Sequence, residues 1–187
     1  REMTVMFIDL KDFTAISEAL SPDDLVKLIN CFFSHMADAI AENKGVVDKF
    51  MGDAVMAYWG PPFSGSDEHA LLACRAAAQA LDHFEKFRDD VGSELGAYAA
   101  GIQIDLRIGV STGEMIVGTV GSKTSKNFTI MGDPVNLGSR LEGANKAYGT
   151  RTLISERTRI LAGDDITVRE LDLIRVKGKQ VPTRVYE

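Results

Sequence analysis

Two hydrophobic periodicities alternate along this chain in an irregular order, and that order decides which layered folds are open to it. Met3 to Asp9 (MTVMFID) is a short apolar run that reads as a buried strand. Ser21-Pro22-Asp23-Asp24 then carries the marks of a helix start: a capping serine, proline in the first turn, and acids beside the positive end of the helix dipole. Behind it Leu25, Leu28, Ile29, Phe32, Phe33, Met36 and Ile40 recur on one helical face, and Gly45 follows. Val46 to Trp59 reads as two strands joined by a tight turn at Met51-Gly52-Asp53. A loop holding Gly60-Pro61-Pro62 and Gly65 leads to an alanine-rich helix predicted over 67–91, followed by a small-residue loop over 92–101. Ile104 to Val120 is expected to be a strand pair punctuated by glycines, and Asn127 to Met131 another strand. Asp133-Pro134 opens a helix by the same cap-plus-proline logic, and the tail offers strand-like segments at 152–155, 166–176 and 181–186 with a short helix after Ser155. Hairpins in place of strict βαβ repetition favour an α+β sandwich, a mixed or antiparallel sheet with helices on one face, over a doubly wound parallel sheet.

No repeat or linker interrupts the 187 residues, so one domain is expected. The formal net charge of −6 provides no basic field for nucleic acid or an anionic membrane surface, and there is no aromatic stripe of the RNA-binding kind. A polyanionic substrate would therefore need local cations or metal ions. Cys31 and Cys74 lack CxxC spacing and fall in helical stretches, which reads as reduced, packed thiols. His35, His69 and His83 lie in helical stretches without ligand spacing and read as packed or solvated, and Trp59 as core or interface. No apolar run approaches the roughly 18 residues that a membrane span needs. The opening Arg1-Glu2 enters a strand pattern at once, so the chain is expected to be a cytoplasmic piece of a longer protein that carries regulatory domains elsewhere.

Asp9 ends the first strand and Asp53 sits in the hairpin turn, so each apolar strand delivers a carboxylate to the sheet edge. Paired carboxylates suit hard cations such as Mg²⁺, which take oxygen ligands and share their shell with substrate phosphates. Spacing alone does not separate this reading from a turn acid at Asp53 and a capping acid at Asp9. Asn136 and Arg140, four apart on the helix opened by Asp133-Pro134, project from one face. Leu137, Leu141, Ala144 and Tyr148 form an adjacent apolar stripe to anchor that helix. Lys49 is an ammonium within a strand, a costly place unless it faces a site.

Five segments occur in order: FIDLKDFT (Phe7 to Thr14), VDKFMGDAVMA (Val47 to Ala57), RIGVSTGEMIVGTVG (Arg107 to Gly121), FTIMGDPVNLGSRLE (Phe128 to Glu142) and VKGK (Val176 to Lys179). Together they resemble the class III adenylyl/guanylyl cyclase catalytic domain, of the bacterial adenylyl type, over essentially the whole chain. The resemblance implies a ferredoxin-like βαββαβ core sheet with helices on one face, plus additional strands. It also implies two divalent ions per site, Mg²⁺ or Mn²⁺, held by Asp9, Asp53 and the backbone carbonyl of Leu10. Lys49 and Thr129 match the pair that reads the purine, and Asn136 and Arg140 the pair that stabilises the transition state. Lys177 matches a lysine on the terminal phosphates, and Phe13 and Thr14 fall where backbone amides wrap the triphosphate. In the family the site lies at a head-to-tail dimer interface, one chain giving the metal acids and the other the remaining groups.

An ammonium at Lys49 suits the acceptor N1 of adenine, whereas guanine carries a proton there, and Thr129 can accept from the adenine 6-amino group. The substrate implied is ATP, the product cyclic AMP. A guanylyl or relaxed purine cyclase keeps the fold and changes the substrate; a non-catalytic nucleotide-sensing or dimerisation module keeps neither activity. Two positions depart from the family pattern. Asp12 stands where glycine is usual before Phe-Thr, and Glu114 where some relatives carry an arginine toward the triphosphate.

Overall fold

The computed structural model describes residues 1–95, 104–175 and 182–187. The first strand, β1 (Glu2–Leu10), is buried along most of its length because both of its faces are covered. Its alternate residues feed different cores. Met6, Ile8 and Leu10 join the main cluster, while Met3, Val5 and Phe7 join a second cluster on the opposite face.

After β1 comes a short helix that the sequence pattern does not reveal, α1 (Phe13–Ala19). The residue before it, Asp12, has φ 57° and ψ 32°, the left-handed region in which a Cβ costs roughly 1–2 kcal/mol. That geometry favours glycine, and the Asp12 side chain is exposed to solvent. The long helix α2 (Pro22–Glu42) starts as expected, with Ser21 Oγ accepting from the Asp24 amide at 3.2 Å. The hairpin β2 (Val46–Met51) and β3 (Ala54–Trp59) pairs Met51 with Ala54, which leaves Gly52 and Asp53 as a two-residue turn. Its register slips between Val47 and Lys49, a bulge centred on Asp48.

Helix α3 (His69–Leu95) runs on past the predicted end at Val91. Gly92 does not stop it, and a Cβ there would meet nothing within 4 Å. The rest of the predicted loop, 96–101, lies outside the described residues. Strand β4 (Leu106–Glu114) then completes the antiparallel order β2-β3-β1-β4, the arrangement of a ferredoxin-like βαββαβ core. Phe32, Met36 and Ile40 of α2 and Ala73, Ala80, Phe84 and Phe87 of α3 pack together on the Met6–Ile8 face, so the core helices do share one face.

The additions sit on the other side and at the far edge. Ile104 to Val120 does not fold back on itself as a pair. Instead β5 (Ile116–Gly121) leaves the main sheet and pairs with β6 (Lys126–Met131) in a separate two-stranded ribbon. Helix α4 (Asp133–Tyr148) is preceded by Gly132, which occupies the cap position expected of Asp133. It lies on the Val5–Phe7 face, opposite α2 and α3, with Gly138 against the Phe7 and Val5 side chains. Its Leu137 and Leu141 form a third cluster with Leu153 and Val185, and Ala144 and Tyr148 pack beside it. Strand β7 (Thr152–Ser155), helix α5 (Glu156–Ala162), β8 (Glu170–Ile174) and β9 (Thr183–Tyr186) extend the sheet to β2-β3-β1-β4-β7-β9-β8. No helix among the described residues is long and apolar enough to cross a membrane.

Candidate functional site

β1 carries Asp9 to within hydrogen-bonding reach of Asp53, which the two-residue turn holds at the end of the neighbouring hairpin. Across β4, Asp9 is paired with Arg107. Glu142, on α4 above that strand, adds a third acid whose charge acts on Asp9. Burial drives the Asp9 carboxyl up to about 7, and the adjoining Asp53, then Glu142, push in the same direction against the Arg107 guanidinium. Burial likewise raises Glu142. Asp9 Oδ1 and Glu142 Oε1 are both buried without a hydrogen-bond partner. Orphaned carboxylate oxygens of this kind cost free energy unless a cation or proton meets them. The donor set is all oxygen, which fits a hard divalent ion such as Mg²⁺ or Mn²⁺. Leu10 is buried at the end of β1. Phe13 and Thr14 are the first residues of α1, so their amides have no acceptor within that helix.

A second constellation forms where the ribbon leans on the hairpin. Thr129 of β6 is buried, and Lys49 Nζ donates to its Oγ1 at 3.1 Å. Thr129 in turn donates to Asp48 Oδ2 at 2.8 Å, and Lys49 Nζ lies 3.1 Å from that same oxygen. The strand lysine thus has the polar surroundings that its position demands.

Asn136 is exposed and Arg140 half-exposed on α4. Each is two residues from Gly138, which touches the sheet, and two residues turn a helix by about 200°. Both side chains therefore leave the sheet of their own chain. Among the described residues, no hydrogen bond or ion pair joins Asn136 or Arg140 to the aspartates or to the Lys49–Thr129 pair. Lys177 lies outside the described residues.

The sequence pattern did not reveal Asp48, Arg107 or Glu142. Glu142 stands two residues after Arg140 in the same segment, but only the packing of α4 over β4 brings it to Asp9. The histidines are packed or paired. His69 Nδ1 lies 2.8 Å from Thr4 Oγ1 in the interior, and His35 Nε2 lies 2.9 Å from Asp90 Oδ2. Trp59 is core, its Nε1 donating to the Asn43 carbonyl at 2.8 Å. Cys31 and Cys74 form no disulfide.

Comparison with known proteins bears on this geometry. "Adenylate cyclase 1" of Rhizobium meliloti (strain 1021) is 36% identical over 188 residues, which cover 100% of this chain and 27% of that protein. The chain therefore spans only about a quarter of the length of that relative. The adenylyl cyclase CyaB from P. aeruginosa superposes with a TM-score of 0.87 at 34% identity, covering 99% of this chain and 92% of that one. The guanylyl cyclase Cya2 superposes equally well, TM-score 0.87 at 31% identity, covering 100% and 90%. The family model described as "Adenylate and Guanylate cyclase catalytic domain" matches residues 1–186, and the chain belongs to that family.

Proposed function

We propose that this domain is an adenylyl cyclase, converting ATP to 3′,5′-cyclic AMP and pyrophosphate at sites shared between two copies of the chain. The fold does not choose the purine, since adenylyl and guanylyl neighbours superpose equally well. The Lys49–Thr129 pair carries the choice. It offers an N–H and an oxygen side by side, the complement of adenine N1 and its 6-amino group. Guanine presents the opposite polarity at both atoms.

Asp9 and Asp53, with the Leu10 carbonyl, would hold two divalent ions. Ions bound there would neutralise phosphate charge and would lower the pKa of the ribose 3′-hydroxyl. The amides of Phe13 and Thr14 face the triphosphate, Asn136 orients the ribose, and Arg140 meets charge growing on the α-phosphate. Lys177 holds the terminal phosphates. The 3′-hydroxyl gives its proton to water, the O3′–P bond forms in line as the bond between the α-phosphorus and the α–β bridging oxygen breaks, and pyrophosphate leaves with that electron pair. Because Asn136 and Arg140 leave their own sheet, a second copy completes each site. Exposed apolar side chains on the hairpin and ribbon (Phe50, Met51, Ile116, Phe128 and Met131) supply a surface suited to such a partner. The remaining length of the parent protein would carry its regulatory domains.

The test is turnover of ATP and GTP side by side with Mg²⁺ or Mn²⁺. Two mismatched buried hydrogen bonds should favour ATP by roughly tenfold to a few thousandfold. Equal or greater GTP turnover overturns the assignment.

The acid pair also makes cation binding visible in stability. Asp9 is raised from 3.8 to about 7, so over that window the folded chain binds more protons than the unfolded one. In chelator its contribution to stability must therefore fall as pH rises through the window. A divalent ion relieves the repulsion only where the acids are ionised. Mg²⁺ is accordingly expected to raise Tm more at pH 8 than at pH 5, and Asp9→Asn to abolish the difference. A Mg²⁺ effect independent of pH would remove the acid pair from cation binding.

A further inference from the structure

We propose that Asp48 is a specificity-determining positioning residue, the group that sets the hydrogen-bond polarity of the Lys49–Thr129 pair. The inference rests on the purine-reading role given above to that pair. A threonine hydroxyl is ambiguous by nature, since it rotates to donate or accept as its partner requires. A lysine ammonium is a flexible point charge with three donors. Left alone, the two could rearrange to satisfy guanine, with the hydroxyl donating to O6 or the ammonium swinging across to it. Something must remove that freedom if the pair is to discriminate.

The bulge in β2 supplies it. The extra residue at the register slip is Asp48, and its side chain is fully buried although it carries a carboxylate. Its Oδ2 accepts the Thr129 hydroxyl proton at 2.8 Å and lies 3.1 Å from Lys49 Nζ. A carboxylate has no proton to give, so the Thr129 proton is committed inward. One Thr129 lone pair is taken by Lys49 at 3.1 Å, and the other remains. Lys49 gives one ammonium proton to Thr129, and its charge is held 3.1 Å from Asp48 Oδ2. What the triad presents outward is an N–H from Lys49 and one acceptor from Thr129, with both atoms pinned in place. Without Asp48 that polarity is no longer enforced. The cost of burying Asp48, whose Oδ1 has no partner, fits a group kept for orientation.

The experiment compares Asp48→Asn with the unmodified protein on ATP, GTP and ITP, by kcat/KM, with folding and dimerisation checked. ITP shares the N1–H and O6 edge of guanine but lacks its 2-amino group, so it isolates the edge that the triad reads. An asparagine amide can donate to the Thr129 oxygen and free the hydroxyl proton to point outward. The ATP:GTP and ATP:ITP ratios are both expected to fall about 10- to 100-fold, a change that a general loss of structure would not produce. An unchanged ATP:ITP ratio overturns the proposal, as does a fall confined to GTP. Should Asp48→Asn fail to fold, Asp48→Ala leaves room for water and is read by the same two ratios. Lys49→Glu and Thr129→Ala separate the role of the pair from that of Asp48. If neither shifts the ATP:GTP ratio, the purine-reading role of the pair fails. If they shift it and the Asp48 variants do not, the role of Asp48 fails alone.

Discussion

Mixing Asp53→Ala chains with Arg140→Ala chains is expected to restore activity that neither variant shows by itself. In the proposed shared site each substitution alone would disable both sites of a symmetric homodimer, because every site would take its acids from one chain and its guanidinium from the other. Loss of a group acting directly on transition-state charge costs on the order of 10²–10³ in rate, and loss of a metal ligand at least as much. Random exchange places half of the dimers in the mixed state. Within a mixed dimer one site collects both lesions and the other collects none, so about one quarter of the sites should be intact. The geometry behind the prediction is the outward orientation of Arg140, two residues from the Gly138 contact with its own sheet. If heterodimers form and the mixture stays as inactive as its components, the shared site is wrong. If either variant alone keeps near-normal turnover, the role of that residue is wrong.

The two ends of this site were legible in the sequence to different degrees. Asp9 and Asp53 could be read because each closes an apolar segment, and a strand end or a two-residue turn fixes where its last side chain must lie. The helix that begins at Pro22 was legible for the same local reason, its cap being written in Ser21 to Asp24. Lys49 stood out as a costly strand ammonium, but Thr129 and the pairing of the two came only through the family resemblance, because the contact between them is made by a ribbon folding back on a hairpin. No local pattern announces that Ile116 to Gly121 will leave the main sheet, since its alternation suits either partner. Asp48 was invisible for a related reason. A bulge shifts a side chain from one face to the other, and β2 with regular alternation would not have set it beside Lys49 on the same neighbour. The overrun of α3 through Gly92 shows the limit of glycine as a stop signal: where its Cβ position is open, one glycine costs a helix only about 1 kcal/mol.

Gly109→Ala should be among the most damaging single substitutions, although it adds one methyl group. A Cβ at Gly109 would stand 2.2 Å from the Gly138 carbonyl oxygen and 2.3 Å from the Glu142 amide nitrogen. Both are backbone atoms of α4, so no rotamer change relieves the clash and the helix as a whole must lift from β4. Overpacking typically costs 1–3 kcal/mol, and a clash with rigid backbone belongs at or beyond the top of that range. At roughly 2–4 °C per kcal/mol for a chain of this size, Tm should fall by about 6–12 °C. The lift would also move Glu142 away from Asp9 and displace Asn136 and Arg140, and misplacing reacting groups by about 1 Å can cost 10²-fold in rate. Gly143→Ala on the same helix is the matched control. Its Cβ would meet nothing within 4 Å, so the gain in helix propensity should raise stability by up to about 1 kcal/mol. A Gly109→Ala protein that melts with the parent would mean that α4 does not rest on β4 through these backbone contacts. The placement of the transition-state groups would then need another support.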